Sequence, residues 1–242
     1  MSKLAFIFPG QGAQKAGMGK DFYENSEAAR SFFDHAQEIL DFDLKEMCFG
    51  EHEELNLTEY TQPCMVSVCL AIVQELKKRG INPDITAGLS LGEYAAVAAA
   101  GGMNELDAIK LVRRRGILMQ NTVPTGEGAM AAVLGLDAKK IEEILESFEN
   151  VWIANYNCPG QIVITGLTNE VQQASLALKE AGAKRVVELK VSGPFHSLLL
   201  KPAGEALLKE MESMSFSPLQ VPYIANATAE IVTDSKKIST FF

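Results

Sequence analysis

Apolar residues recur along this chain in two alternating patterns. Residues 4–8 form a continuous apolar run, which is typical of a strand buried in a parallel sheet. Segments 26–40, 62–80 and 104–120 instead carry apolar side chains at helical spacing, with Ser26 as a candidate N-cap and Gly80 as a helix stop. Because strands alternate with helices, we predict an α/β domain whose parallel sheet is covered on both faces.

The pattern changes near residue 128. Strands are predicted over 129–136, 151–155, 161–165 and 185–191, and helices over 137–148 and 169–181. This β-α-β-β-α-β order is typical of ferredoxin-like domains. We therefore expect residues 128–191 to form a small domain inserted into a larger α/β domain made of residues 1–127 and 192–242, with a cleft between them.

Composition narrows the class of protein. The chain has 242 residues, 47% of them hydrophobic, and a formal net charge of −9, so a globular fold is expected and a nucleic-acid-binding surface is not. The apolar run at the N-terminus is too short for a signal peptide or a membrane span, and we expect a cytoplasmic protein without membrane association. The four cysteines show no ligand spacing, which argues against a disulfide framework and a metal site.

The strongest chemical signal is the sequence Gly-Leu-Ser-Leu-Gly-Glu at residues 88–93, between a short predicted strand and an alanine-rich helix. Ser90 lies in a G-x-S-x-G pattern, whose glycines allow a serine to occupy a cramped strand-to-helix turn with its hydroxyl exposed. Helix amides behind that serine could stabilise negative charge. The alternative is a Gly/Ser turn that only caps the helix.

A serine nucleophile needs a base within hydrogen-bond reach. His35 and His52 lie in a helix and an acidic loop, where we expect solvated surface residues. His196 lies in the segment Gly193-Pro194-Phe195-His196-Ser197, where the chain leaves the predicted small domain. A domain junction is a natural place for a cleft residue. A buried structural histidine is the alternative reading.

The loop after the first strand, residues 10–14, contains two glycines but does not match a nucleotide-binding motif. A G-x-G-x-x-G pattern would need glycine where Lys15 stands, and no P-loop sequence occurs. Because this loop leaves the carboxyl end of a parallel strand, its amides could instead face the same crevice as the serine turn. Two amides from different loops would make an oxyanion hole.

Three consecutive arginines, residues 113–115, occupy a predicted amphipathic helix. They cannot all face one way, because consecutive helix positions are about 100° apart. One guanidinium could therefore lie in the cleft and bind a substrate carboxylate in a bidentate pair. The alternative is that all three are solvated and hold Glu105 or Asp107.

These elements, in this order, resemble the malonyl-CoA:acyl-carrier-protein transacylase family, from Phe6 to the end of the chain. The resemblance implies an α/β-hydrolase-like large domain and the inserted ferredoxin-like domain. The stretches that carry it lie at residues 8–14, 61–63, 88–93, 115–116 with 119–120, 128–133, 155–161 and 193–197.

The resemblance implies an acyl-carrier-protein S-malonyltransferase that serves fatty-acid or polyketide synthesis. In such an enzyme Ser90, deprotonated by His196, attacks malonyl-CoA while the amides of Gln11 and Leu91 hold the oxyanion, and Arg115 pairs with the malonyl carboxylate. The malonyl group then passes to the phosphopantetheine thiol of acyl carrier protein. No cofactor is bound in this scheme, and we expect a monomer.

Further site residues rest on the resemblance alone. Phe195 would favour malonyl over α-branched substrates, and Asn155 and Asn157 match family positions near the cleft, although both could merely cap a turn. Leu89 stands where the family often has histidine. The chain also stops at Phe242, before the family's last helices and final strand, so part of the catalytic domain and the expected orienter of the histidine would be absent.

Two other functions compete with this one. The serine turn alone would also suit an esterase or thioesterase, but a hydrolase of neutral esters needs no buried cation. A shortened chain could instead be an inactive fragment that binds carrier protein. An acidic carrier would dock on a local basic patch, such as Lys184-Arg185 with Lys190 or the exposed members of Arg113-Arg114.

Overall fold

The computed structural model describes residues 3–124, 126–189, 191 and 193–240, and it divides into two compact units. Unit 1 consists of Met1–Ile117 and Leu207–Phe242, and unit 2 of Leu118–Ala206. The fold is mixed α/β, with a parallel sheet flanked by helices in unit 1 and an antiparallel sheet in unit 2. Within the described residues, no helix is both long and apolar enough to cross a membrane.

The sheet of unit 1 has the strand order β1-β2-β7-β8, in which β1, β2 and β7 run parallel and β8 pairs antiparallel with β7. Its strands are β1 (Ala5–Phe8), β2 (Ile85–Gly88), β7 (Tyr223–Ile224) and β8 (Ile231–Val232). Among the residues that the structure describes, six α-helices begin in this unit, and the last of them continues into unit 2. They are α1 (Lys20–Asn25), α2 (Glu27–Glu38), α3 (Leu44–Phe49), α4 (Thr58–Lys78), α5 (Gly92–Ala99) and α6 (Glu105–Thr122). Helix α9 (Lys201–Glu212) leads back from unit 2.

The helix signals predicted from the sequence are largely confirmed. The Ser26 hydroxyl caps α2 by accepting the Ala29 amide, and Gly80 follows the end of α4 with a φ of 74°. The predicted start of α4 at residue 62 is wrong, because Pro63 lies inside the helix rather than at its beginning. Proline cannot donate to the carbonyl of Glu59, four residues earlier.

Burial of β1 differs from the prediction. Phe6 and Phe8 are buried, whereas Ile7 between them is 77% exposed. The apolar run was read as a strand covered on both faces, but β1 is an edge strand and the described residues cover one of its faces. A continuous apolar run therefore does not by itself establish burial on both sides.

Unit 2 contains a four-stranded antiparallel sheet of order β4-β5-β3-β6. Its elements follow the chain order β3 (Gly128–Leu134), α7 (Ala138–Leu145), β4 (Val151–Cys158), β5 (Gln161–Leu167), α8 (Thr168–Glu180) and β6 (Arg185–Glu188). Strand β4 is longer than predicted, so the turn shortens to Pro159-Gly160. Residue 190, near the predicted end of the last strand, lies outside the described residues.

A close approach of backbones joins β2 to α5. A Cβ atom on Gly88 would lie 2.0 Å from the carbonyl carbon of Gly92, and one on Gly92 would lie 2.3 Å from the carbonyl oxygen of Phe8. No real side chain fits at either place, so both glycines are required for α5 to begin directly above the ends of β1 and β2. Ser90, between them, has a φ of 50°.

Gly88→Ala should therefore destabilise the fold severely, by about 4 kcal/mol or more, because the new methyl group collides with backbone that cannot move aside. Urea unfolding of the purified variant measures this. Gly204→Ala is the matched control: it lies in α9 with nothing within 4 Å of the added Cβ. That control should be neutral or stabilise by up to about 1 kcal/mol, since alanine favours helix. Equal stabilities for the two variants would contradict the close approach.

Candidate active site

Three loops leave the carboxyl ends of neighbouring parallel strands in unit 1 and carry polar side chains. Gln11 follows β1, Ser90 follows β2, and Asn226 follows β7. The strand register aligns Phe8 with Gly88 and Ala87 with Ile224, so these loops begin at the same edge of the sheet. In parallel sheets this edge is where ligands bind.

The turn at Ser90 has the geometry of a nucleophile elbow. The Leu89 amide donates to the Phe8 carbonyl at 3.1 Å, and the Glu93 amide donates to the Ser90 carbonyl at 3.0 Å, which fixes both sides of the turn. A non-glycine residue with positive φ is strained by about 1–3 kcal/mol. Among the described residues only Ser90, His196 and Ala229 are of this kind. Two of these three are the predicted nucleophile and base.

Arg115 lies beside the serine hydroxyl. Its Nη2 atom is 3.4 Å from the Oγ of Ser90, and its guanidinium carbon is 5.5 Å from the centre of the Tyr94 ring. Gly116 allows this approach, because a Cβ there would lie 2.7 Å from the Thr58 carbonyl oxygen of α4. The cation is thus held near the hydroxyl by ring stacking and helix packing.

The other two arginines of the run have different surroundings. Arg113 pairs with Asp41 and Glu59, stacks on the Phe42 and Tyr60 rings, and has a side chain only 11% exposed. Its Nη1 donates at 2.7 Å to the Glu59 carbonyl that Pro63 leaves without a helical donor. Arg113 is therefore not one of the exposed arginines predicted as a docking patch, whereas Arg114 is exposed.

The suggested partners of the arginines were also wrong. Arg114 pairs with Glu210 at 2.7 Å, whereas Glu105 pairs with Lys77 and Asp107 with Lys110. Among the described residues, Arg115 forms no ion pair within 4.0 Å. The prediction that one guanidinium of the run lies in the cleft and binds a substrate carboxylate stays a prediction.

The carboxyl group of Glu93 is buried at the start of α5, 4% exposed. Burial raises its pKa to about 7, although the Asn226 amide and the Arg115 charge oppose that rise. Burial also raises the pKa of Tyr94, and that of Tyr223 in β7 rises well above its usual value because of burial and the nearby Glu93 charge. Near neutral pH, Glu93 therefore does not fully neutralise Arg115.

The side chain of Gln11 is fixed by α4. Its Nε2 donates to the Thr58 hydroxyl at 3.1 Å, and its Oε1 accepts from Gln62 at 3.4 Å. The backbone amide of Leu91 precedes the first turn of α5, where helix amides have no intrahelical acceptor. Gln11 and Leu91 thus lie on the loops that follow β1 and β2, which begin at the same edge of the sheet.

The remaining predicted site residues belong to unit 2. His196 is exposed with a φ of 60°, and Phe195 before it packs in a core cluster with Met130 and Val163. Asn155 and Asn157 lie within β4, which ends just before the turn Pro159-Gly160. Of the other histidines, His35 is exposed as expected, and His52 lies 3.0 Å from Glu46.

Two residues at the site were missed by the sequence reasoning. The Oδ1 of Asn226 accepts the Ser90 amide at 3.0 Å, and the Asn226 amide donates to Glu93 at 3.0 Å. Glu93 stands in the motif itself, but its burial was not foreseen. Asn226 lies 136 residues from Ser90, and no spacing or composition signal marks it.

Glu93→Gln should change how stability depends on pH. The folded carboxyl holds its proton up to about pH 7 and an unfolded glutamate only to about 4.5, so the folded state binds more protons between these values. Its stabilising contribution is complete below pH 4.5 and falls as the pH rises through 7, by about 3 kcal/mol in all.

Urea unfolding at pH 5 and pH 8 tests this expectation. The unmodified protein should lose about 2.5 kcal/mol more than Glu93→Gln over this interval, because glutamine cannot titrate. Glu54→Gln, at an exposed position, controls for the replacement itself. A pH dependence unchanged in Glu93→Gln would refute the buried proton.

Comparisons with known proteins identify the family. Residues 5–239 match the model of the acyl transferase domain. A malonyl CoA-acyl carrier protein transacylase of Bacillus subtilis (strain 168) is 47% identical over 243 residues, which cover 98% of this chain and 77% of that protein.

Comparison with solved structures leads to the same family. An acyl carrier protein S-malonyltransferase of Vibrio cholerae O1 biovar eltor has a TM-score of 0.94 at 41% identity, covering 99% of this chain and 80% of that one. A malonyl-transacylase in complex with a type II PKS acyl-carrier protein has a TM-score of 0.95 at 38% identity, covering 99% and 79%. The chain therefore belongs to the malonyl CoA-acyl carrier protein transacylase family of acyl transferases.

Proposed function

We propose that this protein transfers the malonyl group of malonyl-CoA to the phosphopantetheine thiol of an acyl carrier protein, through a malonyl ester on Ser90. One observation carries the proposal: the Arg115 guanidinium lies 3.4 Å from the Oγ of a serine in a strained strand-to-helix turn. A nucleophile and a carboxylate-binding cation at one point fit a substrate with both a thioester and a carboxylate.

The names of the relatives support the same substrate and partner. The Bacillus subtilis protein is named for malonyl-CoA and acyl carrier protein, and one structural relative was solved with a carrier protein of polyketide synthesis. The product would supply chain extension in fatty-acid or polyketide synthesis. We place the reaction in the cytoplasm and treat the enzyme as a monomer.

In the first half-reaction, the Ser90 hydroxyl gives its proton to His196 as Oγ attacks the thioester carbonyl. The amides of Gln11 and Leu91 hold the resulting oxyanion. The carbon–sulfur bond then breaks, His196 returns the proton to the sulfur, and coenzyme A leaves as the thiol. Malonate remains as an ester on Ser90.

In the second half-reaction, the carrier thiol gives its proton to His196 and attacks the ester carbonyl. The same amides hold the second oxyanion, the bond to Oγ breaks, and Ser90 recovers a proton from His196. Each half-reaction leaves the enzyme without net change in protons. The scheme needs no bound cofactor, since the phosphopantetheine belongs to the carrier.

Several finer assignments belong to the same proposal. Phe195 is assigned to favour malonyl over α-branched substrates. Asn155 and Asn157, in β4, are assigned as substrate-binding residues. Residues 1–127 with 192–242 are assigned as an α/β-hydrolase-like domain and 128–191 as a ferredoxin-like insert, which the β-α-β-β-α-β order and the strand order β4-β5-β3-β6 support. The exposed Lys184 and Arg185 remain candidates for carrier docking, and Lys190 of the same predicted patch lies outside the described residues.

Intact mass after mixing with malonyl-CoA tests the chemistry and the site together. The unmodified protein should gain one malonyl group, which disappears on addition of holo carrier protein and never forms on Ser90→Ala. Rapid loss of the adduct in buffer alone would instead indicate an esterase or thioesterase. No adduct on a folded protein would favour an inactive carrier-binding fragment.

Arg115→Ala should lower the rate of malonyl loading about tenfold to a hundredfold, because a charged hydrogen bond contributes about 1.5–3 kcal/mol. Acetyl loading, which has no carboxylate to bind, should be kept or increased. Loading rates with both CoA thioesters measure the ratio. Arg114→Ala is the matched control, since its neighbouring guanidinium pairs with Glu210 at 2.7 Å. Malonyl loading equal to that of the unmodified protein would exclude the carboxylate role of Arg115.

A further inference from the structure

Three hydrogen bonds form a closed ring around the nucleophile. The Ser90 amide donates to Asn226 Oδ1 at 3.0 Å, the Asn226 amide donates to Glu93 Oε1 at 3.0 Å, and the Glu93 amide donates to the Ser90 carbonyl at 3.0 Å. Two members of the ring lie in the elbow and the third lies in the loop after β7. The ring therefore ties the elbow to a strand that is distant in sequence.

The loop that carries Asn226 is itself fixed. The Ala225 amide donates to the Glu230 carbonyl at 2.9 Å, and the Ala229 amide donates to the Ala225 carbonyl at 2.8 Å. Ala225 is fully buried, and Ile224 before it pairs with Ala87 of β2. Asn226 is thus held at both ends, which lets its side chain act as a rigid acceptor.

The hydrogen bond from the Ser90 amide to Asn226 opposes a change of the Ser90 backbone to negative φ. Serine at a φ of 50° is strained and would turn toward the common negative φ region if nothing held it. Such a turn would swing the amide away from Asn226 and move Oγ relative to the Arg115 guanidinium. The bond uses the Ser90 amide alone, so it restrains the backbone and leaves the hydroxyl for chemistry.

We propose that Asn226 is a positioning residue for the acyl transfer, whose side-chain oxygen holds the Ser90 backbone in the conformation that aims Oγ at the thioester. This role rests on the proposed function. Asn226 acts through Ser90 and touches no reacting atom. Glu93 supports it by accepting the Asn226 amide, and the groups that face Glu93 are Arg115, Tyr94 and Tyr223.

The experiment compares Asn226→Ala with Asn226→Asp by rapid-quench intact mass at several malonyl-CoA concentrations. Alanine removes the acceptor and should slow the maximal rate of Ser90 loading about tenfold to a hundredfold, with KM changed by less than about threefold. Aspartate keeps an oxygen at the same place and should restore the rate to within about fivefold of the unmodified protein. This split and this rescue are not expected of a residue that only stabilises the fold.

Asn104→Ala is the matched control for loss of an asparagine side-chain acceptor. Its Oδ1 accepts the Leu106 and Asp107 amides at the start of α6, away from the elbow. This control should lower the midpoint of thermal unfolding and leave the loading rate unchanged. Full loading by Asn226→Ala, or equal losses in the alanine and aspartate variants, would overturn the proposal.

A second readout separates this inference from the proposed function. A fluorophosphonate probe labels an activated serine whether or not malonyl-CoA is the substrate. If the unmodified protein is labelled but accepts no malonyl group, the proposed function fails, and slower labelling of Asn226→Ala with rescue by Asn226→Asp would still support the positioning role. Equal labelling of all three proteins, or none in the unmodified protein, would overturn that role.

Discussion

The constraint on which the candidate site depends is the contact between the backbones of Gly88 and Gly92. Neither position has room for a side chain, because the carbonyl group of Gly92 faces Gly88 and the carbonyl oxygen of Phe8 faces Gly92. Strand β2 can therefore pass into α5 with a single strained residue at the crest of the turn, and that residue is Ser90. The packing of the surrounding fold keeps Ser90 in this strained conformation.

The electrostatics of the site depend on which charges are already paired. Arg113 and Arg114 form ion pairs with nearby carboxylates. Arg115 instead interacts electrostatically with Glu93, whose pKa burial raises to about 7. The Arg115 guanidinium lies over the Tyr94 ring, and near neutral pH a carboxyl that is only partly ionised does not fully neutralise its charge. One arginine of the run could therefore bind a substrate carboxylate, while its two neighbours form ion pairs with carboxylates of the protein itself.

Local chemistry in the sequence predicted much of this arrangement. The glycines around Ser90, the Ser26 cap and the alternation of strands and helices depend on neighbours within a few residues, and each was placed correctly. The failures involve partners distant in sequence. The helix predicted from residue 62 in fact begins at Thr58, and the donor that replaces the Pro63 amide, Arg113, lies 50 positions farther on. Ile7 was expected to be buried because apolar character does not reveal what covers a strand. Asn226 is the extreme case, since nothing local marks it.

A ping-pong reaction places a particular demand on the nucleophile. In the proposed mechanism the oxygen of Ser90 must be correctly aimed twice, first as a free hydroxyl and then as an ester. A hydrogen bond donated by the hydroxyl in the first state would be lost in the second. A restraint on the Ser90 amide survives acylation unchanged, because the amide takes no part in either bond exchange. The ring through Asn226 and Glu93 is such a restraint, so the positioning role proposed for Asn226 would serve both half-reactions equally.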